Sequence, residues 1–139
     1  MEDIADTILK LDSLVYRLKF TDRISALKLA RVALRISDTA NATTRILTLN
    51  MMGNAFNQYN VDSCYFYYSQ AHQLAAQAGT LSCFPQLFYN LGILYYQAFD
   101  FRTAATLLDS AINSGRRHRK WDVVVDAYNI LGHIKKKSD

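Results

Sequence analysis

The chain is poor in the residues that interrupt helices. Its 139 residues include one proline, Pro85, and five glycines. So little turn-forming material leaves few places for β-hairpins and tight strand connections, which rely on glycine and proline at defined positions. Cysteine is equally scarce. Cys64 and Cys83 are the only two, too few for a disulfide framework or a structural zinc site. Both read as plain thiols, with Cys64 falling where a small buried residue is expected. No apolar run approaches the ~18 residues needed to span a bilayer as a helix. Residues 1–20 carry Glu2, Asp3, Asp6 and Asp12, so they do not read as a secretion signal with a basic head. Catalytic spacing is also missing. His72, His118 and His133 are scattered, and no nucleophile elbow, glycine-rich phosphate loop or zinc helix is spelled. The reading is a non-enzyme that needs no metal or cofactor.

What is present is ordinary in amount and uneven in place. Half of the residues are apolar and a fifth are charged, as in a typical globular domain. Residues 1–101 hold eight basic and eight acidic side chains, whereas residues 102–139 hold eight basic and four acidic, so the whole excess of +4 lies in the last third. Arg116, Arg117, His118, Arg119 and Lys120 form one cluster and Lys135, Lys136 and Lys137 another. A basic end of this kind offers weak contact to nucleic acid or an acidic surface, or it simply complements helix C-termini.

Hydrophobic periodicity predicts seven helices. Ile4, Ile8, Leu11, Val15 and Leu18 mark the first, about 3–19. Ala26, Leu29, Ala30, Ala33 and Leu34 mark the second, capped by Thr21 or Asp22. Ser37-Asp38-Thr39 supplies the next break, and a third helix covers about 40–58. Asn60, Asp62 and Ser63 read as a turn before a fourth helix that ends at Gly79. Pro85 suits the first turn of the fifth. Asp100 caps a sixth that ends at Gly115, and the seventh covers about 120–136. Tyr65-Phe66-Tyr67-Tyr68 is β-prone by composition but sits in a helical period.

One word recurs along these helices. Met52-Gly53, Leu91-Gly92 and Leu131-Gly132 each place glycine after a large apolar residue, with the glycines 39 and 40 residues apart. A fixed period of this length marks units that bury their apolar faces only against neighbours. In the third unit Leu91, Gly92, Tyr95, Asp100 and Phe101 are followed by Ala104, Leu108 and Ala111 at small–large–small spacing. In the second, Met52, Gly53 and Phe56 are followed by Cys64, Tyr68 and Ala71. The pattern resembles a tetratricopeptide repeat. The resemblance implies an all-α, right-handed solenoid of antiparallel helix pairs in one domain, with units at about 3–38, 39–79 and 83–118 and a half unit at 120–136. The unpaired seventh helix is expected to belong to a fragment of a longer protein or to meet an intermolecular partner.

The resemblance also implies a function. The first helix of each pair in that family lines a concave groove for an extended peptide. The matching positions here are Asn50, Asn54 and Asn57, then Tyr89, Asn90, Ile93 and Tyr96, then Asn129, His133 and Lys136. Asn50, Asn54 and Asn57 recur at i, i+4, i+7 and would stack as a ladder of donors and acceptors. The same asparagines suit an inert polar face equally well. The expected function is therefore a protein- or peptide-interaction module, the sensor or scaffold part of a larger regulator such as a bacterial one. The rival is an oligomerisation unit that completes its open half repeat with a second copy.

Overall fold

The computed structural model describes residues 3–37, 41–56 and 59–138. Among them the chain is all-helical, with seven α-helices and no strand. They are α1 (Ile4–Leu18), α2 (Arg23–Ile36), α3 (Ala42–Phe56), α4 (Val61–Gln77), α5 (Pro85–Gln97), α6 (Phe101–Arg117) and α7 (Trp121–Ser138). A short 3-10 turn, Leu81–Cys83, precedes α5. The aromatic run Tyr65–Tyr68 lies inside α4, so the helical period prevails over local β preference.

Short polar side chains start most of these helices. Asp3, Asp22, Asn60 and Asp100 each accept from the backbone N–H three residues on, at 2.8, 3.1, 3.0 and 3.2 Å. Each bond satisfies one of the four orphan donors of a helix start, worth about 1 kcal/mol. Asn41 does the same for α3 through the Thr44 N–H, at 2.9 Å. The break expected at Asp38 and Thr39 lies outside the described residues. Asp62 and Ser63 are already in the first turn of α4, and Asn60 is its cap. Pro85 occupies the first turn of α5, where its missing N–H has no role to fill.

The helix ends follow a regular rule. Gly79, Phe99 and Arg119 have φ of 72°, 64° and 57°, and they stand twenty residues apart. At Phe99 the left-handed turn is closed by two bonds. Its own N–H donates to the Tyr96 carbonyl at 3.0 Å, and the Asp100 N–H donates to the Tyr95 carbonyl at 2.9 Å. Arg119 repeats both, onto Arg116 (3.3 Å) and from Lys120 onto Gly115 (2.8 Å). These bonds take up the last carbonyls of α5 and α6 and hold two bulky residues where glycine is usual.

Gly115 is a correction to the sequence reading. It does not end α6, which continues to Arg117. Gly115 is buried within the helix, and a Cβ built there would lie 2.7 Å from Val124 Cγ2. The glycine lets α7 approach closely, and the stop passes to Arg119.

The chain divides into two compact units, Met1–Ala78 and Gly79–Asp139. In the first, α1 packs on α2 and α3, α2 on α3, and α3 on α4. Its core joins Ile8 and Val15 of α1 to Ala26, Ala30 and Ala33 of α2 and to Met51, Met52 and Ala55 of α3. The alanine stripe on α2 lets these helices lie close, and long side chains from α1 and α3 fill the space. In the second unit α5 packs on α6, α6 on α7, and α5 also touches α7. Its core is Ala104, Leu108, Ala111 and Ile112 of α6 with Val123, Val124, Ala127 and Ile134 of α7.

The two thiols behave differently. Cys64 is buried, and burial pushes its thiol up to about 11, whereas Cys83 is exposed. A thiol reagent at pH 8 is therefore expected to label one cysteine in the folded protein, identified as Cys83 by peptide mapping. The second should react only after denaturant is added.

Candidate functional site

The residues proposed for a groove separate into three kinds of surroundings. Asn50 and Asn54 of α3 are buried, with 8% and 6% of their surface exposed. The Tyr68 hydroxyl donates to Asn54 Oδ1 at 2.6 Å. The expectation of an open asparagine ladder is corrected here. Asn54 faces the tyrosine of α4 and spends its acceptor on it, because a buried phenol needs a partner. Cys64 lies one turn before Tyr68, and burial holds the phenol well above its ordinary pKa. The Tyr68–Asn54 pair is thus a satisfied core contact beneath Gly53. Asn57 lies outside the described residues.

The second kind is on α5. Asn90 is buried, and its Oδ1 accepts from Gln86 Nε2 at 2.8 Å. Tyr89, Ile93 and Tyr96 are half-buried and recur at i, i+4, i+7 along one side of α5. Tyr89 and Tyr96 pack against the core of the second unit. The face of Tyr96 has a further neighbour: the Lys137 ammonium sits 5.0 Å from its ring centre, 5.5 Å from that of Phe101 and 5.8 Å from that of Phe99. Each such contact is worth about 0.5–1 kcal/mol at an exposed site. Together they hold the end of α7 against the α5–α6 turn.

The third kind is on α7. Asn129 and His133 are exposed, one turn apart. The basic groups are exposed too. Arg116 and Arg117 end α6, Arg119 and Lys120 form the turn, and Lys135 and Lys136 lie in the last turn of α7. A helix of 18 residues is about 27 Å long, so the clusters stand at opposite ends of it. The Arg116 guanidinium also donates to the Tyr128 hydroxyl and lies 5.5 Å from the centre of its ring.

Among the described residues no three His, Cys, Asp or Glu side chains cluster as metal ligands would. Burial lowers the pKa of His72, which favours its neutral form. Among the same residues no helix is long and apolar enough to cross a membrane. One open depression of about 430 Å³ runs along α4, lined by Asp62, Tyr65, Phe66, Ser69, Gln70 and Gln73. Sequence reasoning passed over it, because nothing in the repeat pattern singles out that face.

Compared with family models, curated proteins and solved structures, the chain has no significant match. The candidate site therefore rests on geometry and residue chemistry alone.

Proposed function

We propose that the chain is a helical-repeat interaction module of the tetratricopeptide kind, holding an extended peptide or protein segment without catalysing a reaction. The observation that carries this reading lies within the second unit. There α5 carries half-buried Tyr89, Ile93 and Tyr96 on one side, and α7, which it touches, carries exposed Asn129 and His133. The exposed parts of the two half-buried rings offer apolar area with a polar tip, Tyr96 sharing its face with Lys137, and the amide and imidazole offer a donor and an acceptor to an extended backbone. Asn50, Asn54 and Asn90 belong on this reading to the support of the helices and not to the contact surface.

The neighbour pattern within each unit supports the same view. Consecutive helices pack together, and so do the alternate pairs α1 with α3 and α5 with α7. Stacked helix pairs in a right-handed solenoid would pack this way. A polyanion-binding reading has less behind it, since the basic clusters are split between the ends of α7 and Arg116 is engaged by Tyr128.

Selection from a random peptide library tests the proposal. We expect an enriched family of extended peptides with affinity near the micromolar range, about −8 kcal/mol. Binding should fall at least tenfold in the Asn129→Ala/His133→Ala variant, with helicity unchanged because both side chains are exposed. A library with no enriched sequence, or peptides that bind the variant equally well, would refute the groove.

A further inference from the structure

The three glycines of the repeated word have different surroundings. A Cβ on Gly53 would lie 2.3 Å from the ring of Tyr68, and one on Gly92 would lie 3.1 Å from Leu108. Tyr68 belongs to α4 and Leu108 to α6, so each of these glycines is covered by a large side chain from the helix that follows. A Cβ on Gly132 would meet nothing within 4 Å.

The rest of that face of α7 is exposed as well, with the Arg116 guanidinium lying over part of Tyr128. Trp121, Val125 and Tyr128 are 55%, 57% and 47% exposed. With Gly132 they recur at i, i+4, i+7, i+11, which places all four on one stripe. The opposite side of α7 already buries Val123, Val124, Ala127 and Ile134 against the core. A surface helix ordinarily carries one apolar stripe; this one carries two. The outward stripe has a notch at Gly132 that would admit one large side chain.

Charge decides what fits. Residues 116–137 hold seven lysines and arginines against Asp122 and Asp126. The basic groups stand at both ends of the stripe, Arg116, Arg117, Arg119 and Lys120 before it and Lys135, Lys136 and Lys137 after it. A second copy is a poor occupant. Antiparallel pairing of α7 with itself would seat Trp121 over the partner's notch, but it would bring each copy's terminal lysines onto the other's arginine turn. Parallel pairing would set Trp121 against Trp121 and leave both notches empty.

We propose that the Trp121–Val125–Tyr128–Gly132 face of α7 is a docking site for an amphipathic helix from another protein. That helix carries a large apolar residue for the Gly132 notch and acidic side chains at both ends of its apolar stripe. The site shares no residue with the groove pair Asn129 and His133, and Asn129 borders it, four residues after Val125 and three before Gly132; Gly132→Leu tests the one and Asn129→Ala/His133→Ala the other.

Trp121 is the only tryptophan in the chain, so its emission reports on this face directly. The probe is a synthetic peptide with the sequence of α6, Phe101–Arg117, carrying Arg102→Glu, Arg116→Glu and Arg117→Glu. In it Leu108 can seat on Gly132 as it does on Gly92. The expected result is a saturable blue shift of Trp121 emission that weakens with added salt. Affinity should be at least tenfold above that of the unmodified α6 peptide, and at least tenfold above that of the same probe for Gly132→Leu. That variant fills the notch and leaves the fold intact, since the position is open. No Trp121 response at 1 mM probe (about the weak limit of specific binding) would overturn the proposal. So would equal binding of the unmodified peptide. So would sedimentation showing a dimer with Trp121 already shielded, which would assign the face to a second copy.

Discussion

Gly53→Ala is expected to destabilise the first unit by about 2–3 kcal/mol, although alanine is the better helix former. The propensity gain in a helix interior is about 1 kcal/mol. Against it stands a Cβ placed 2.3 Å from Cδ1 and Cε1 of Tyr68. An aromatic ring held to its backbone through a single methylene cannot yield that distance by a rotamer change alone, so α3 and α4 must part. Overpacking of this kind costs about 1–3 kcal/mol. A second loss follows. The Tyr68 hydroxyl holds Asn54 Oδ1 at 2.6 Å, and both groups are buried. Moving the ring strands an acceptor in the core, at about 1–3 kcal/mol if it finds no substitute. Thermal unfolding followed by circular dichroism, alone and with Tyr68→Leu, checks the account. The double variant should be less destabilised than the two single changes added together, because the smaller side chain makes room for the new methyl while losing its own bond to Asn54. A Gly53→Ala protein as stable as the parent would remove the glycine–tyrosine contact from the argument.

Much of this was legible in the sequence, for physical reasons that differ from place to place. The α2 and α6 stripes were plain, because Ala26, Ala30 and Ala33, and Ala104, Leu108 and Ala111, keep a clean helical period and all of them are buried. Capping by Asp22 and Asp100 was also legible, since a short carboxylate ahead of an apolar period has few other uses. Gly115 was misread because the same residue type serves a helix stop and a close helix approach, and only the packing of Val124 tells them apart. Phe99 and Arg119 gave no sequence signal as left-handed caps. The strain they carry is accepted because paired backbone bonds close each turn, and bonds of that kind have no side-chain signature.

The binding surface was less legible than the fold. Polar residues at i, i+4, i+7 are expected to face solvent, yet Asn50 and Asn54 are buried and Asn54 supports Tyr68. Periodicity gives the angular position of a residue on its helix but not which neighbours surround that angle. On α7 the ambiguity ran the other way. Trp121 and Val125 fall at helical spacing among the apolar residues of α7 and are more than half exposed, because apolar residues on two sides of a helix can be covered on both only when it has neighbours on both.

The second large effect concerns Leu108, and it tests the repeat logic most directly. Leu108 is fully buried in α6 and faces the Gly92 notch in α5. Leu108→Ala should cost about 3 kcal/mol, the sum of lost transfer energy and the cavity left in a packed core. Gly92→Ala alone should change little. Its new methyl meets Leu108 at 3.1 Å, a tight contact that offsets the roughly 1 kcal/mol of helix propensity gained. The informative variant is the double one. With Leu108 shortened, the Gly92→Ala methyl enters space that the leucine has vacated, so propensity is gained without the clash and part of the cavity is filled. The double variant is then expected to be more stable than Leu108→Ala by about 1 kcal/mol, a coupling well above the scatter of independent sites. Additive effects in denaturant melts would mean that Gly92 is not kept small for the leucine it faces. The open position at Gly132, which is judged against that pairing, would then no longer support the proposed docking of a partner helix.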